Sequence, residues 1–281
     1  MLPKTNRYID VKNWFCAEIQ TFYTVEEQNK LFWTWVEEVL GNPKMEILKD
    51  TAKFKFSEGE LRQLIKGIRR LKTGMPFQYI LGYEWFCGLK LQVNPYVLIP
   101  RPETEELVHW IKDSGENISS VIDLGTGSGA IALALKKLYP LARVYACDKS
   151  EDALRTAQRN AENLNLEVTF VHGDFTSPDF SILDFDVVVS NPPYIVPSQY
   201  STLPEQVRNF EPSVALFTPE DDPLYYYRTI LSKARSGQTF YFELGLDQIP
   251  EVESLANRLR TREFYLRMDF SGKYRMAKFV F

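Results

Sequence analysis

Apolar residues recur three and four positions apart through the first seventy-odd residues, the spacing of helices that bury one stripe. Two helix starts carry their own caps. Thr24-Val-Glu-Glu27 and Ser57-Glu-Gly-Glu60 both match the capping box, in which a hydroxyl accepts from the third amide while the glutamate accepts from the cap's own N–H. Gly41 and Gly74 sit where left-handed helix stops belong. Between Ser57 and Gly74, Leu61, Leu64, Ile65, Ile68 and Leu71 form one stripe, and Arg62, Lys66, Arg69, Arg70 and Lys72 occupy the rest of the surface. The period changes to two over 83–93, where Leu89, Leu91 and Val93 alternate with Lys90 and Gln92 after a Cys87-Gly88 turn; this predicts a β-hairpin. Asn94-Pro95 and Ile99-Pro-Arg-Pro102 break it, and Thr104, followed by Glu105 and Glu106, opens another helix through Lys112.

From residue 119 onward, strand and helix patterns alternate. Strands are predicted over 121–124, 142–147, 168–171, 186–190, 239–244, 263–270 and 276–281; helices are predicted from about 130, over 150–164, and near 223–233 and 248–260. Such alternation implies an α/β fold with a mostly parallel sheet covered on both faces. The last two strands have no helix between them and should pair antiparallel. The expected organisation is a helical domain over 1–75, a β-hairpin linker over 76–102 and an α/β domain over 103–281.

The chain's 281 residues favour two domains over one core, in agreement with that division. With 33 basic against 37 acidic residues the net charge is −4, which lacks the positive field that gathers phosphate backbones and argues against a stable nucleic-acid partner. Cys16, Cys87 and Cys147 are far apart, as are His109 and His172, so neither a disulfide framework nor a metal site is expected. Neither a signal core nor a membrane span is apparent, which makes a monomeric cytoplasmic protein the expectation.

Four strand ends carry candidate chemistry. Asp123-Leu-Gly-Thr-Gly-Ser-Gly129 follows one apolar run, and its glycines let the backbone approach a ligand and turn into a helix. The spacing departs from the dinucleotide pattern Gly-x-Gly-x-x-Gly and lacks the Lys-Ser/Thr end of a P-loop. Asp148 ends the next strand about twenty residues on, where a carboxylate can accept ribose hydroxyls. Asp123 is suited to orienting the cationic methionine end of a cofactor, and Asp174-Phe175 offers a carboxylate and a ring to adenine. Asn191-Pro192-Pro193-Tyr194 closes the run 186–190; its two prolines stiffen the loop and leave carbonyls without local donors. There the Asn191 side-chain oxygen and the Pro192 carbonyl could each accept one N–H of a planar amide, with Tyr194 closing over it. Together these features suggest methyl transfer from S-adenosylmethionine to an amide or amine nitrogen. Each has a plainer alternative: a structural tight turn, aspartates capping helices or turns, Phe175 as core, and a rigid proline corner.

The glycine loop and Asn191-Pro-Pro-Tyr194, joined to Pro76-Phe-Gln-Tyr-Ile-Leu-Gly82 and Leu98-Ile-Pro-Arg-Pro-Glu-Thr-Glu105, resemble the HemK/PrmC family of glutamine methyltransferases of peptide chain release factors. Phe210-Glu-Pro212 and Arg275 look like the same family. The resemblance implies a class I methyltransferase fold, a Rossmann-like seven-stranded sheet ending in an antiparallel hairpin. It also implies S-adenosylmethionine as cofactor and, as substrate, the glutamine of a release factor's Gly-Gly-Gln motif. On this chain it assigns Asp123, Gly125, Thr126, Gly127, Ser128, Gly129, Asp148, Asp174, Phe175 and Asn191 to the cofactor, Asn191, Pro192 and Tyr194 to catalysis, and Asn191 through Tyr194, Pro193 included, to the glutamine. Phe175 stands where members of the family carry tryptophan, which keeps stacking and loses the indole donor. The helical domain would recognise the release factor's body. The rival reading is a nucleic-acid base methyltransferase acting on an exocyclic amine with the same four-residue tip. Glu243 and Arg101 take no role from the sequence.

Overall fold

The computed structural model describes residues 2–281, which divide into two compact units, one ending at Leu81 and the other spanning Gly82–Phe281. The first is helical: α1 (Tyr8–Ile19), α2 (Val25–Thr34), α3 (Lys44–Lys49), α4 (Glu58–Leu71) and α5 (Phe77–Leu81). Both expected capping boxes form, Thr24 with Glu27 and Ser57 with Glu60. Val11, Phe15 and Ile19, four residues apart on α1, meet Phe32, Leu64, Ile68 and Leu71 in the core. After α2 the chain underwinds into a wider π-helical turn, Trp35–Val39, that the periodicity does not announce. It delivers the Trp35 ring onto Gly67 of α4, where an added Cβ would lie 2.4 Å from the indole. The buried face of α4 therefore includes Gly67, while Leu61 and Ile65 are only half-buried.

The expected boundary after residue 75 moves, because 77–81 is helical and Ile80 joins the core of the first unit. Nor does 82–102 stand apart as a linker. The hairpin β1 (Tyr83–Phe86) and β2 (Leu89–Gln92) turns at Cys87-Gly88 as expected and buries Phe86, Leu89 and Leu91 in the core of the second unit.

That second unit contains α6 (Pro102–Asp113), β3 (Ser120–Leu124), α7 (Ala130–Leu138), β4 (Arg143–Asp148), α8 (Glu151–Leu164), β5 (Thr169–His172), β6 (Val187–Ser190), α9 (Glu205–Phe210), α10 (Tyr225–Leu231), β7 (Thr239–Glu243), α11 (Ile249–Leu259), β8 (Glu263–Met268) and β9 (Tyr274–Val280). The seven strands run in the order β5-β4-β3-β6-β7-β9-β8; the first five are parallel, and β9 pairs antiparallel with β7 and β8. This is the class I methyltransferase sheet. Alternate strand residues serve opposite cores: Val121, Val187, Val189 and Tyr241 pack under α6 and α7, and Ile122, Val188, Phe240 and Phe242 pack under α10 and α11. Burying each such side chain stabilises the sheet by roughly 1.5–3 kcal/mol. Because β3 pairs with β4 on one side and β6 on the other, its carboxyl end is the switch point of the sheet, where a crevice opens. No helix among the described residues is long and apolar enough to cross a membrane.

Candidate active site

The switch-point crevice is a cavity of about 630 Å³, within the range of small-molecule sites. Gly125 and Gly127 after β3, Asp148 ending β4, Asp174 and Phe175 after β5, and Asn191 and Pro193 after β6 all line it. Asp123, Thr126, Ser128, Gly129 and Pro192 are not among its lining residues, although sequence reasoning assigned them to the site. The first four organise the loop. Asp123 is buried; its Oδ2 accepts from Thr126 Oγ1 at 2.6 Å and Ala132 N at 3.3 Å, while its Oδ1 has no partner. Burial pushes its carboxyl up to about 7 against those two hydrogen bonds. Gly129 has φ 83°, and a Cβ there would lie 3.1 Å from Ala157 and Leu133, so glycine lets α7 start close against α8.

Asp148 bridges the loop to β4: its Oδ2 accepts from Gly127 N at 2.9 Å and its Oδ1 from Ser150 N at 2.9 Å. Burial raises its pKa, and both oxygens keep further lone pairs. Asp174 caps Thr176; hydrogen bonds from that residue hold its carboxyl below the ordinary range although burial opposes them. Phe175 is buried and lies 5.6 Å from the Tyr226 ring, and Lys233 Nζ fastens the loop by donating to the carbonyls of Phe175, Ser177 and Phe180. The wall thus offers two carboxylates, two rings and a glycine turn. A Cβ added at Gly127 would meet nothing within 4 Å, so a side chain there would enter open space. These residues fit S-adenosylmethionine, whose amine and sulfonium are cationic and whose adenine is flat.

A second cavity, of about 590 Å³, lies beyond Asn191 and is lined by Leu98, Arg101, Asn191, Tyr194, Leu203 and Glu243, among others. Asn191, Leu98 and Ala215 belong to both cavities. Asn191 Nδ2 donates to Thr104 Oγ1 at 3.2 Å, and its Oδ1 accepts no hydrogen bond among the described residues. Gln248 Nε2 holds the tip from behind, donating to the Tyr194 carbonyl at 3.0 Å. Burial raises the Tyr194 phenol well above its usual range and keeps it protonated, an effect that Glu243 nearby strengthens.

Two residues without a sequence role stand in the wall of this second cavity. Arg101 donates to Glu211 Oε1 at 2.5 Å, joining the Ile-Pro-Arg-Pro and Phe-Glu-Pro segments through a carboxylate that is 6 % exposed. Glu243, 3 % exposed at the end of β7, accepts from Thr104 Oγ1 at 2.5 Å, and burial pushes its carboxyl up to about 7. Thr104 was expected to open a helix; instead α6 begins at Pro102, and the Thr104 hydroxyl lies inside its first turn, between Glu243 and Asn191.

Comparison with known proteins matches residues 103–207 to the Methyltransferase small domain. The chain is 37 % identical over 265 residues to a release factor glutamine methyltransferase of Bacteroides thetaiotaomicron, covering 92 % of this chain and 94 % of the relative. A release factor glutamine methyltransferase of Flavobacterium psychrophilum is 35 % identical, covering 96 % and 99 %. Among solved structures, the hMettl16 catalytic domain in complex with MAT2A 3'UTR hairpin 6 superposes with a TM-score of 0.57 over 80 % of this chain and 83 % of that one; at 16 % identity it shares the fold alone.

Proposed function

The chain belongs to the release factor glutamine methyltransferase family, and from that premise we propose that it methylates the side-chain amide nitrogen of the glutamine in a release factor's Gly-Gly-Gln motif, using S-adenosylmethionine. The observation that carries this reading is the position of Asn191, whose side chain lines both cavities while its Oδ1 is left free to accept. An amide nitrogen is a weak nucleophile because its lone pair is delocalised, so orientation has to supply much of the catalysis. Asn191 Oδ1 and the Pro192 carbonyl accept the two N–H groups of the glutamine amide and fix its plane. Tyr194, kept protonated by burial, is a neutral wall and not a base. S-adenosylmethionine, when bound, would supply a methyl carbon on a sulfonium: the N–C bond forms as the C–S bond breaks to leave a neutral thioether, and the one N–H proton the methylated amide gives up passes to water. Asp148 and Phe175, both in the wall of the crevice, would hold the cofactor's ribose and face its adenine.

The helical unit meets the body of the release factor. Lys66 and Arg69 are exposed on α4 and suit an acidic partner. Replacing both with glutamate should raise KM for the release factor and leave cofactor affinity unchanged; an unchanged KM removes this face from recognition.

The test of the activity is mass spectrometry of a purified release factor after incubation with the protein and cofactor. One methyl group on the glutamine of the Gly-Gly-Gln peptide is expected. Transfer to tRNA, rRNA or DNA in preference to the release factor would overturn the assignment and favour a base methyltransferase.

A further inference from the structure

An asparagine side chain fits its surroundings nearly as well after a half-turn about its last bond, which exchanges oxygen for NH₂. The reading above needs one of these orientations, with Oδ1 toward the acceptor. Neither proline of the tip has an N–H, so the loop's own backbone offers little to select it. Selection falls to Thr104. Its hydroxyl has a single proton, and at 2.5 Å from Glu243 Oε2 that proton points at the carboxylate. What remains toward Asn191, 3.2 Å away, is a lone pair, which only the NH₂ end can satisfy.

We propose that Glu243 and Thr104 are positioning residues that form a directional hydrogen-bond chain, carboxylate to hydroxyl to carboxamide, fixing Asn191 with its oxygen toward the acceptor amide. This rests on the methyltransferase reading. Neither residue touches the reacting atoms; they act through Asn191. The chain links α6, β7 and the β6 tip, so three elements converge on one rotamer. Its polarity depends on Glu243 being ionised. A protonated Glu243 donates to Thr104, which frees the hydroxyl proton to turn toward Asn191 and favours the wrong carboxamide orientation. Other charged or titratable groups facing Glu243 are Arg275 and Arg101, which favour its ionised form, and Glu103, which opposes it; Tyr194 and Tyr227, both pushed further up by Glu243, stay protonated, and Tyr227 donates to the Glu243 main-chain carbonyl.

Three variants of the full chain test this. Thr104→Val removes the hydroxyl at nearly constant shape and should lower kcat roughly 10- to 100-fold, the scale on which misplacing a reacting group acts, with cofactor affinity unchanged. Thr104→Ser restores the hydroxyl and should recover most of kcat. The wild type should lose kcat as pH falls through about 7, and Glu243→Gln should lower kcat and abolish that acid limb. Wild-type kcat in Thr104→Val, failure of serine to rescue a folded protein, or an acid limb that persists in Glu243→Gln each overturns the proposal. A readout independent of activity is the Asn191 side-chain amide signal in ¹⁵N-labelled protein. It should shift and lose exchange protection in Thr104→Val but not in Thr104→Ser, and an unmoved signal is equally decisive against the chain. If the wild type transfers no methyl to a release factor, the proposed function fails by itself while this signal still reports on the hydrogen bonds.

Discussion

At the scale of single residues, sequence and structure divide the site unevenly. Asn191 stood out because a polar side chain closes an apolar strand and two prolines follow it, and the structure places it in the wall of both cavities. Asp148 was legible because a strand ended on it at a set distance from the glycine loop. Thr104 was not, since a hydroxyl near a helix start reads as a cap, and its real partners lie 87 and 139 residues away in sequence. Asp123 was legible as important but its surroundings were not: burial and the bond to Thr126 bind it into the loop. Two substitutions separate the roles. Asn191→Ala removes the proposed acceptor for the substrate N–H and should abolish methyl transfer, while calorimetric titration should find S-adenosylmethionine binding within a few-fold of wild type; near-normal turnover would contradict that role. In Asp148→Ala the order reverses, because hydrogen bonds to a charged acceptor contribute roughly 1.5–3 kcal/mol and cofactor affinity should fall accordingly. An unchanged titration curve would remove Asp148 from the ribose.

At the scale of elements, period and capping chemistry located the helices and strands well, because both are set by neighbours a few residues apart. They could not locate the π-helical turn at Trp35–Val39, which accompanies the tertiary packing of Trp35 on Gly67. Nor did they place α5 in the helical unit, which depends on Ile80 reaching a core built from distant residues. The π turn exposes an inversion of ordinary propensity. In an exposed helix, alanine is favoured over glycine by roughly 1 kcal/mol. At position 67 the added methyl would fall within 2.5 Å of two indole carbons. Gly67→Ala should therefore destabilise the helical unit by about 1–3 kcal/mol, as overpacking does, and thermal unfolding followed by tryptophan fluorescence would register it. Equal or higher stability would mean that Trp35 does not rest on α4.

Across the whole molecule, Asp123 and Glu243, with Asp148 raised by burial in the same sense, set an opposition between folding and catalysis. Asp123 and Glu243 are each pushed by burial to about 7, from ordinary values of 3.8 and 4.5. A carboxyl raised on folding binds its proton more tightly in the folded state, so its contribution is complete below the ordinary value and is lost as pH rises through about 7. The carboxylates held low, Glu18, Glu60, Asp174, Asp186 and Asp269, act in the opposite sense but only in more acid solution, as pH falls through their own lowered values. Between roughly pH 5 and pH 8 the raised carboxyls, Asp148 included, dominate, and Tm should rise on acidification by roughly 2–4 °C for each kcal/mol recovered. Turnover should move the other way, since the Asn191 orientation requires Glu243 to be ionised. Asp123→Asn keeps an acceptor for Thr126 and Ala132 without the titration, and should flatten the slope of Tm against pH while leaving the acid limb of kcat in place. Calorimetric scans of wild type and variant across that window, beside kcat measured in the same buffers, decide the matter. A Tm that falls on acidification, or a slope that Asp123→Asn leaves unaltered, would show that these carboxyls are already ionised at neutral pH without cost to the fold.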